Sequence, residues 1–135
     1  MAAWVDTGFL VALFARNDAF HPQAKRFLHD NPALELHSIW PVIVESCFFL
    51  DNQAQQALLT WIERGAMRMH EVSLNELPPI RQTLQNYHNL KPDFTDAALV
   101  VLADALGIKS ILTVDTRDFS VYRLSDGSYI ERLWV

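Results

Sequence analysis

"WVDTGFLVALF", residues 4–14, sets one carboxylate between an apolar strand-like run and an apolar helix-like run. Residues 2–5 read as a short buried strand. Leu10, Leu13 and Phe14 fall at helical spacing within residues 9–15, which leaves Asp6-Thr7-Gly8 as the turn between the two. Asp-Thr-Gly is the tripeptide of aspartic proteases, whose two carboxylates share one proton. An aspartate at the carboxyl end of a central strand is also where open α/β sheets place their sites. The tripeptide alone does not choose between these, so the remaining acids decide.

Outward from this stretch, strands and helices alternate. A second helix is expected over 21–29, with Pro22 in its first turn. Residues 34–38 alternate like a strand. Pro41 opens a helix over 41–50, and another over 53–64 stops at Gly65. A strand is expected over 67–72, then a helix over 74–88 despite Pro78 and Pro79 near its start. "DFTDAALVVLADALG" (93–107) is the clearest helix, with acids at its amino end and Gly107 as its carboxyl cap. "SILTV" (110–114) is too short for a helix and reads as a central parallel strand, with weak strands following around residues 125–127. This alternation predicts an α/β sandwich, a parallel sheet covered on both faces.

Half of the 135 residues are hydrophobic, which suits one compact domain over residues 1–135. A net charge of −5 argues against coating nucleic acid by bulk electrostatics, but not against local engagement of phosphates through cations. Cys47 is the only cysteine, so no internal disulfide or zinc motif is available. No apolar run approaches the ~20 residues that span a bilayer. The opening residues lack the basic and cleavage-site pattern of a leader. A soluble, cytoplasmic protein with no membrane association is therefore expected. Four Trp and eight Phe exceed what so small a core must hide, so self-association is expected too.

Several acids occupy unusual positions. Glu45 lies mid-helix in "WPVIVESCFFL" (40–50), with Pro41, Val42, Phe48 and Phe49 as its one-turn neighbours. A carboxylate there is costly unless paired, protonated or bound to a cation, and no basic residue lies within one turn. The alternative is a helix edge from which it reaches water. Asp93 and Asp96 open the late helix, where Asp93 could act only as a cap. Asp115 follows the 110–114 strand directly. Asp118, three residues on, reads as a turn residue, and Asp104 as a solvated helix face. Asp6 and Asp115 end strands, whereas Glu45 and Asp96 sit on helices beside strands. In a parallel sheet all four can meet at one edge. Four carboxylates without clustered Lys or Arg become stable on sharing Mg²⁺ or Mn²⁺, hard cations that choose oxygen ligands. Such a site suits attack of water on a phosphodiester.

The ordered set "VDTGFLVALF", "NDAFHPQA", "VIVESCFF", "DFTDAALVVLA" and "ILTVDTRDF" resembles the PIN domain family over nearly the whole chain, more narrowly the VapC-type toxins of bacterial toxin–antitoxin pairs. The resemblance implies a three-layer α/β/α fold and a Mg²⁺- or Mn²⁺-dependent endoribonuclease. It maps catalytic acids onto Asp6, Glu45, Asp96 and Asp115, of which Asp6, Asp96 and Asp115 would be metal ligands. The family's hydroxyl positions fall on Thr7 and Thr113, which could hold the carboxylates in place, with Asp93 and Asp118 as auxiliary acids. A homodimer and a small antitoxin protein as partner are also implied. Phe48, Phe49 and Leu50, next to Glu45, are candidate members of the antitoxin groove, although core packing explains them equally well.

A helix after Asp6-Thr7-Gly8, and no second copy of the tripeptide, exclude the nearly all-strand aspartic proteases. Two other readings stand beside the ribonuclease. One is a phosphoryl-transfer α/β domain, for which the expected second acid near Asp6 is absent. The other is a non-catalytic interaction module whose acids hold a structural cation. Arg16, Lys91 and Arg117 lie close in sequence to the acids and are the candidates for RNA phosphate contacts. His21 is expected to pack or cap. His29, His37, His70 and His88 share no ligand spacing.

Overall fold

The computed structural model describes residues 1–115 and 117–134. Among the described residues, five strands form one sheet: β1 (Ala2–Val5), β2 (Glu35–Ile39), β3 (Arg68–His70), β4 (Ser110–Leu112) and β5 (Glu131–Arg132). The α-helices of the described residues are α1 (Thr7–Phe14), α2 (His21–Asp30), α3 (Trp40–Phe48), α4 (Asn52–Glu63), α5 (Leu77–Asn86) and α6 (Phe94–Leu106). The sheet order is β3-β2-β1-β4-β5, and every pairing is parallel. This bears out the α/β sandwich expected from the alternation.

The path of the chain decides where a site can form. From β1 the chain moves outward through β2 to β3, then returns to the other side of β1 as β4. Right-handed crossovers therefore place α1 to α4 on one face and α5 and α6 on the other. The packing agrees, since α1 contacts α2, α3 and α4 while α5 contacts α6. The strand order reverses between β1 and β4, and a crevice opens beyond the carboxyl ends of those two strands. Asp6 follows β1 at that point, and its N–H donates to the Leu112 carbonyl at 3.0 Å, which carries the ladder one residue past the strand.

Both central strands are buried. Ala3, Trp4 and Val5 are fully covered, as are Ile111 and Leu112, and the Trp4 indole N–H donates to the Ile108 carbonyl at 3.0 Å. In β2, Leu36 to Ile39 are all buried, so the strand does not alternate between core and water as its sequence suggested. It is an interior strand covered on both faces. Within α6, Thr95 and every residue from Ala97 to Ala103 are buried, which makes it the central helix of its layer. Gly107 ends it at φ 70°, a left-handed conformation that suits glycine. No helix of the described residues is long and apolar enough to cross a membrane.

Three boundaries differ from the sequence reading. First, Asp6-Thr7-Gly8 is not a turn. Asp6 caps α1, which starts at Thr7. Second, the expected 74–88 helix is split. Ser73 and Glu76 form a reciprocal capping box around a 3-10 turn, Leu74–Glu76, and α5 follows with its prolines in the first turn, where their missing N–H groups cost nothing. Third, the weak strands around 125–127 resolve into one antiparallel bridge, Arg123 to Tyr129, across Gly127 at φ 85°. The regular strand β5 lies a few residues later.

Gly8 is needed for a close approach rather than for a turn. A Cβ at this position would overlap the Val114 Cγ2 methyl, just beyond β4. Gly8→Ala is expected to cost about 1–3 kcal/mol through overpacking. Thermal denaturation should show a fall of roughly 3–10 °C in Tm. Gly8→Ala combined with Val114→Ala should recover most of that loss, because the second change removes the opposing methyl.

Candidate metal centre

Each acid is positioned by a local rule of the chain. Asp6 is buried at the amino end of α1, with one carboxylate oxygen accepting from the Thr7 N–H at 2.8 Å and the other from the Thr113 hydroxyl at 2.9 Å. Thr113 in turn accepts from the Asp115 N–H at 2.9 Å, so one hydroxyl links the acids that follow β1 and β4. Asp115 accepts from the Asp118 N–H at 3.0 Å. Asp93 caps α6 by accepting from the Asp96 N–H at 2.8 Å, and Asp96 lies in the first turn of that helix.

Carboxylate oxygens of Asp96, Asp115 and Asp118 lie within 4.8 Å of one another. Asp6 and Asp93 stand close enough to act on them electrostatically. Burial, followed by the charges of Asp93, Asp6, Asp115 and Asp118, raises the Asp96 pKa to about 8. Burial also raises Asp6 to about 6, with Asp115 and Asp93 adding to the rise and the Thr7 and Thr113 hydrogen bonds opposing it. Asp118 is raised by burial and then by Asp115, against a lowering by Arg117. Among the described residues none of these five acids is in an ion pair.

The sequence-predicted residues divide as follows. Asp96 and Asp115 are brought together. Asp6 joins them from β1 but falls outside the three-oxygen group, and Asp118, expected mainly as a turn residue, falls inside it. Asp118 serves the turn as well, since its carbonyl accepts from the N–H groups of Val121 and Tyr122. Glu45, half-buried on α3, accepts a hydrogen bond from the Thr95 hydroxyl of α6 and is not one of the three. Thr113 holds Asp6 as expected. Thr7 does so only through its backbone, and its buried hydroxyl has no partner among the described residues. Arg16, Lys91 and Arg117 are exposed. His21 is anchored to the Ala12 carbonyl at 2.8 Å, a packing role. Asp104 is exposed on α6 but holds the 125–127 turn, accepting from the Ser125 N–H and hydroxyl.

Two polar groups near the acids escaped the sequence reading. Thr95 immediately precedes Asp96, and only the meeting of α3 and α6 reveals its partner. Tyr122 is fully buried against Tyr87 and Phe119, and its hydroxyl has no partner among the described residues. Burial, then Asp96 and the neighbouring carboxylates, push that hydroxyl's pKa upward. One turn separates it from Asp118, a spacing that in hindsight was its only sequence signal.

The donor set is all oxygen, and it carries more negative charge than its surroundings neutralise. Both properties suit a hard divalent cation, and burial with the neighbouring charges raises the Asp96 pKa to about 8. The residues present therefore fit such an ion.

A sequence model of the PIN domain matches residues 3–124. Among curated proteins, the ribonuclease VapC26 of Mycobacterium tuberculosis (strain ATCC 25618 / H37Rv) is 28% identical over 123 residues, covering 88% of this chain and 90% of that protein. Among solved structures, Mycobacterium tuberculosis VapC20, described as a sarcin–ricin loop cleaving toxin, superposes with a TM-score of 0.78 at 22% identity. That match covers 87% of this chain and 92% of the VapC20 chain. The strand order, the acids at its switch point and the match to nearly the full length lead to one assignment: the chain belongs to the PIN domain family.

Proposed function

We propose that this chain is a Mg²⁺- or Mn²⁺-dependent endoribonuclease and the toxin of a cytoplasmic toxin–antitoxin pair. The observation that carries the reading is the crowding of Asp96, Asp115 and Asp118, backed by Asp6, at the switch point of a PIN domain sheet. The ribonuclease relative supports the choice of substrate class.

Asp96, Asp115 and Asp118 would hold the ion. Asp6 adds charge, and each of its oxygens, already accepting one hydrogen bond, keeps a lone pair for a ligand or a water. When bound, the cation orients water and stabilises charge on the phosphate and the leaving oxygen. Thr113 fixes the Asp6 carboxylate relative to Asp115. Glu45, anchored at one oxygen by Thr95, has its other oxygen free to hold the attacking water and take its proton. The water oxygen bonds to phosphorus, one P–O ester bond of the RNA breaks, and the departing oxygen takes up a proton. Exposed Arg16, Lys91 and Arg117 would contact the flanking phosphates.

Cleavage of RNA should require Mg²⁺ or Mn²⁺ and stop in excess EDTA. Asp6→Asn, Glu45→Gln, Asp96→Asn and Asp115→Asn should each lower the rate by about 100-fold or more. Asp118→Asn should also fall, because its oxygen lies in the three-acid group, while Asp104→Asn should retain activity. Gel-based cleavage of a labelled RNA measures all of these. Normal cleavage in EDTA would overturn the mechanism. Metal binding without cleavage of any RNA would favour a non-catalytic module.

Stability without metal should move the opposite way. The unfolded chain releases the Asp96 proton near the ordinary value of 3.8, whereas the folded chain holds it to about 8. Unfolding is therefore favoured progressively as pH rises from about 4 to about 8, and the penalty is complete above that. Asp6 adds a smaller fall that is complete above about 6. Asp96→Asn should raise the apo Tm at pH 8 and leave it nearly unchanged at pH 4. Mn²⁺ should raise the wild-type Tm by mass action, more at pH 8 than at pH 6, and raise the variant's less. Melting curves at the three pH values with and without Mn²⁺ test this directly.

Restraint of such an enzyme would come from a small antitoxin with basic side chains. Phe49 lines an open groove of about 350 Å³ with Val11, Phe20 and Val114, reaching Thr7 and Gly8 beside Asp6. Phe48 and Phe49 are 80% and 70% exposed, whereas Leu50 is buried, so the first two suit a partner or a second copy and the third is core. An amphipathic segment would fill the groove while Arg or Lys enters among the carboxylates. Expression of the chain alone should arrest growth and co-expression of the neighbouring antitoxin should relieve it, with Asp96→Asn harmless. Light scattering should show a homodimer at micromolar concentration.

A further inference from the structure

We infer that Thr95 is a positioning residue for Glu45, a side-chain clamp that sets the distance between Glu45 on α3 and Asp96 on α6. The inference rests on the ribonuclease reading for its consequence but on geometry for its substance. Thr95 is buried at the second position of α6, one residue before Asp96. Its hydroxyl donates to the Glu45 carboxylate across 50 residues of sequence. Among the described residues no other group donates a hydrogen bond to Glu45.

A free glutamate on α3 would have three side-chain torsions and access to water, with Pro41, Val42 and the exposed Phe48 as its one-turn neighbours. Nothing in that surface directs it toward the acids. The Thr95 hydroxyl removes this freedom. Glu45 is its one hydrogen-bond acceptor among the described residues. The clamp also explains why a polar side chain occupies a buried position of a helix that, apart from Asp96, is apolar through Ala103. A buried hydroxyl without a partner is destabilising, whereas one shared with a carboxylate is satisfied.

Thr95→Val keeps the shape and deletes the donor, while Thr95→Ser keeps the donor. With Mn²⁺ saturating, Thr95→Val should lower kcat for RNA cleavage by about 10- to 100-fold, the usual effect of losing an orienting partner, with KM within about twofold. Thr95→Ser should recover most of that loss. In a Glu45→Gln background, Thr95→Val should cause little further loss, since the carboxylate that Thr95 positions is already gone. The same cycle read as melting of the apo protein, with Glu45→Leu as the second change, does not depend on activity. Thr95→Val should lower Tm by roughly 2–4 °C in the wild type and by less than half of that beside Glu45→Leu. Additive effects in the melting cycle would overturn the clamp, whether or not RNA is cut. Coupling in melting with full activity of Thr95→Val would overturn its positioning role. A wild type that cuts no RNA with Mn²⁺ would refute the ribonuclease reading alone, leaving the melting cycle to decide the clamp.

Discussion

One hydroxyl at the switch point of the sheet organises the acids around it. Thr113 donates to Asp6 and accepts from the Asp115 N–H, so the residues just beyond β1 and β4 are held together by two hydrogen bonds through a single side chain. The ladder bond from Asp6 to Leu112 fixes the same two strand ends from the backbone. This requires β1 and β4 to be neighbours, which follows from the chain returning past β1 after building β2 and β3. It also requires α1 to approach the β4 end closely, which the missing side chain of Gly8 permits. Together these place Asp6 and Asp115 at the same end of the sheet.

The cost of this arrangement is electrostatic, and the core carries it. Five carboxylates crowd one edge of the sheet without an ion pair among the described residues, and burial together with their mutual charges raises the pKa of Asp96 to about 8. Burial contributes more to that shift than any single neighbour does. A more open crevice would relax the acids but would also weaken their field on a cation, because water screens exposed charges. The covered strands β1 and β4 and the buried helix α6 make the site partly dry and keep the acids from spreading apart.

Much of the frame was legible because its signals are local. The β1 strand, the 93–107 helix with its Gly107 cap, and the 110–114 strand each show a pattern within a few residues of themselves. The acids at strand ends were legible for the same reason. What the sequence concealed depends on contacts between distant segments. Glu131 and Arg132, the whole of β5, are both exposed and show no apolar alternation, so nothing local marks them as a strand. His37 and His70 hydrogen-bond at 2.7 Å only because β2 and β3 lie side by side in a particular register. Asp118 carried a strong turn signal that masked its approach to Asp96 and Asp115. Thr7 meets the Asp6 carboxylate through its backbone N–H rather than through its hydroxyl, a distinction that residue type alone does not reveal.

The two helices that frame Glu45 explain why the site forms where it does. By the handedness of the crossovers, α3 and α6 cover opposite faces of the sheet, so the sheet itself separates them along most of their length. They can touch only beyond the carboxyl ends of the strands, where no sheet intervenes. Glu45 and Thr95 meet there, and the acids after β1 and β4 emerge at the same place. Groups from both helical layers and from two strands therefore gather at this edge. The position of the chemistry is thus a consequence of strand order, and the identity of the chemistry is left to the few polar side chains that reach that edge.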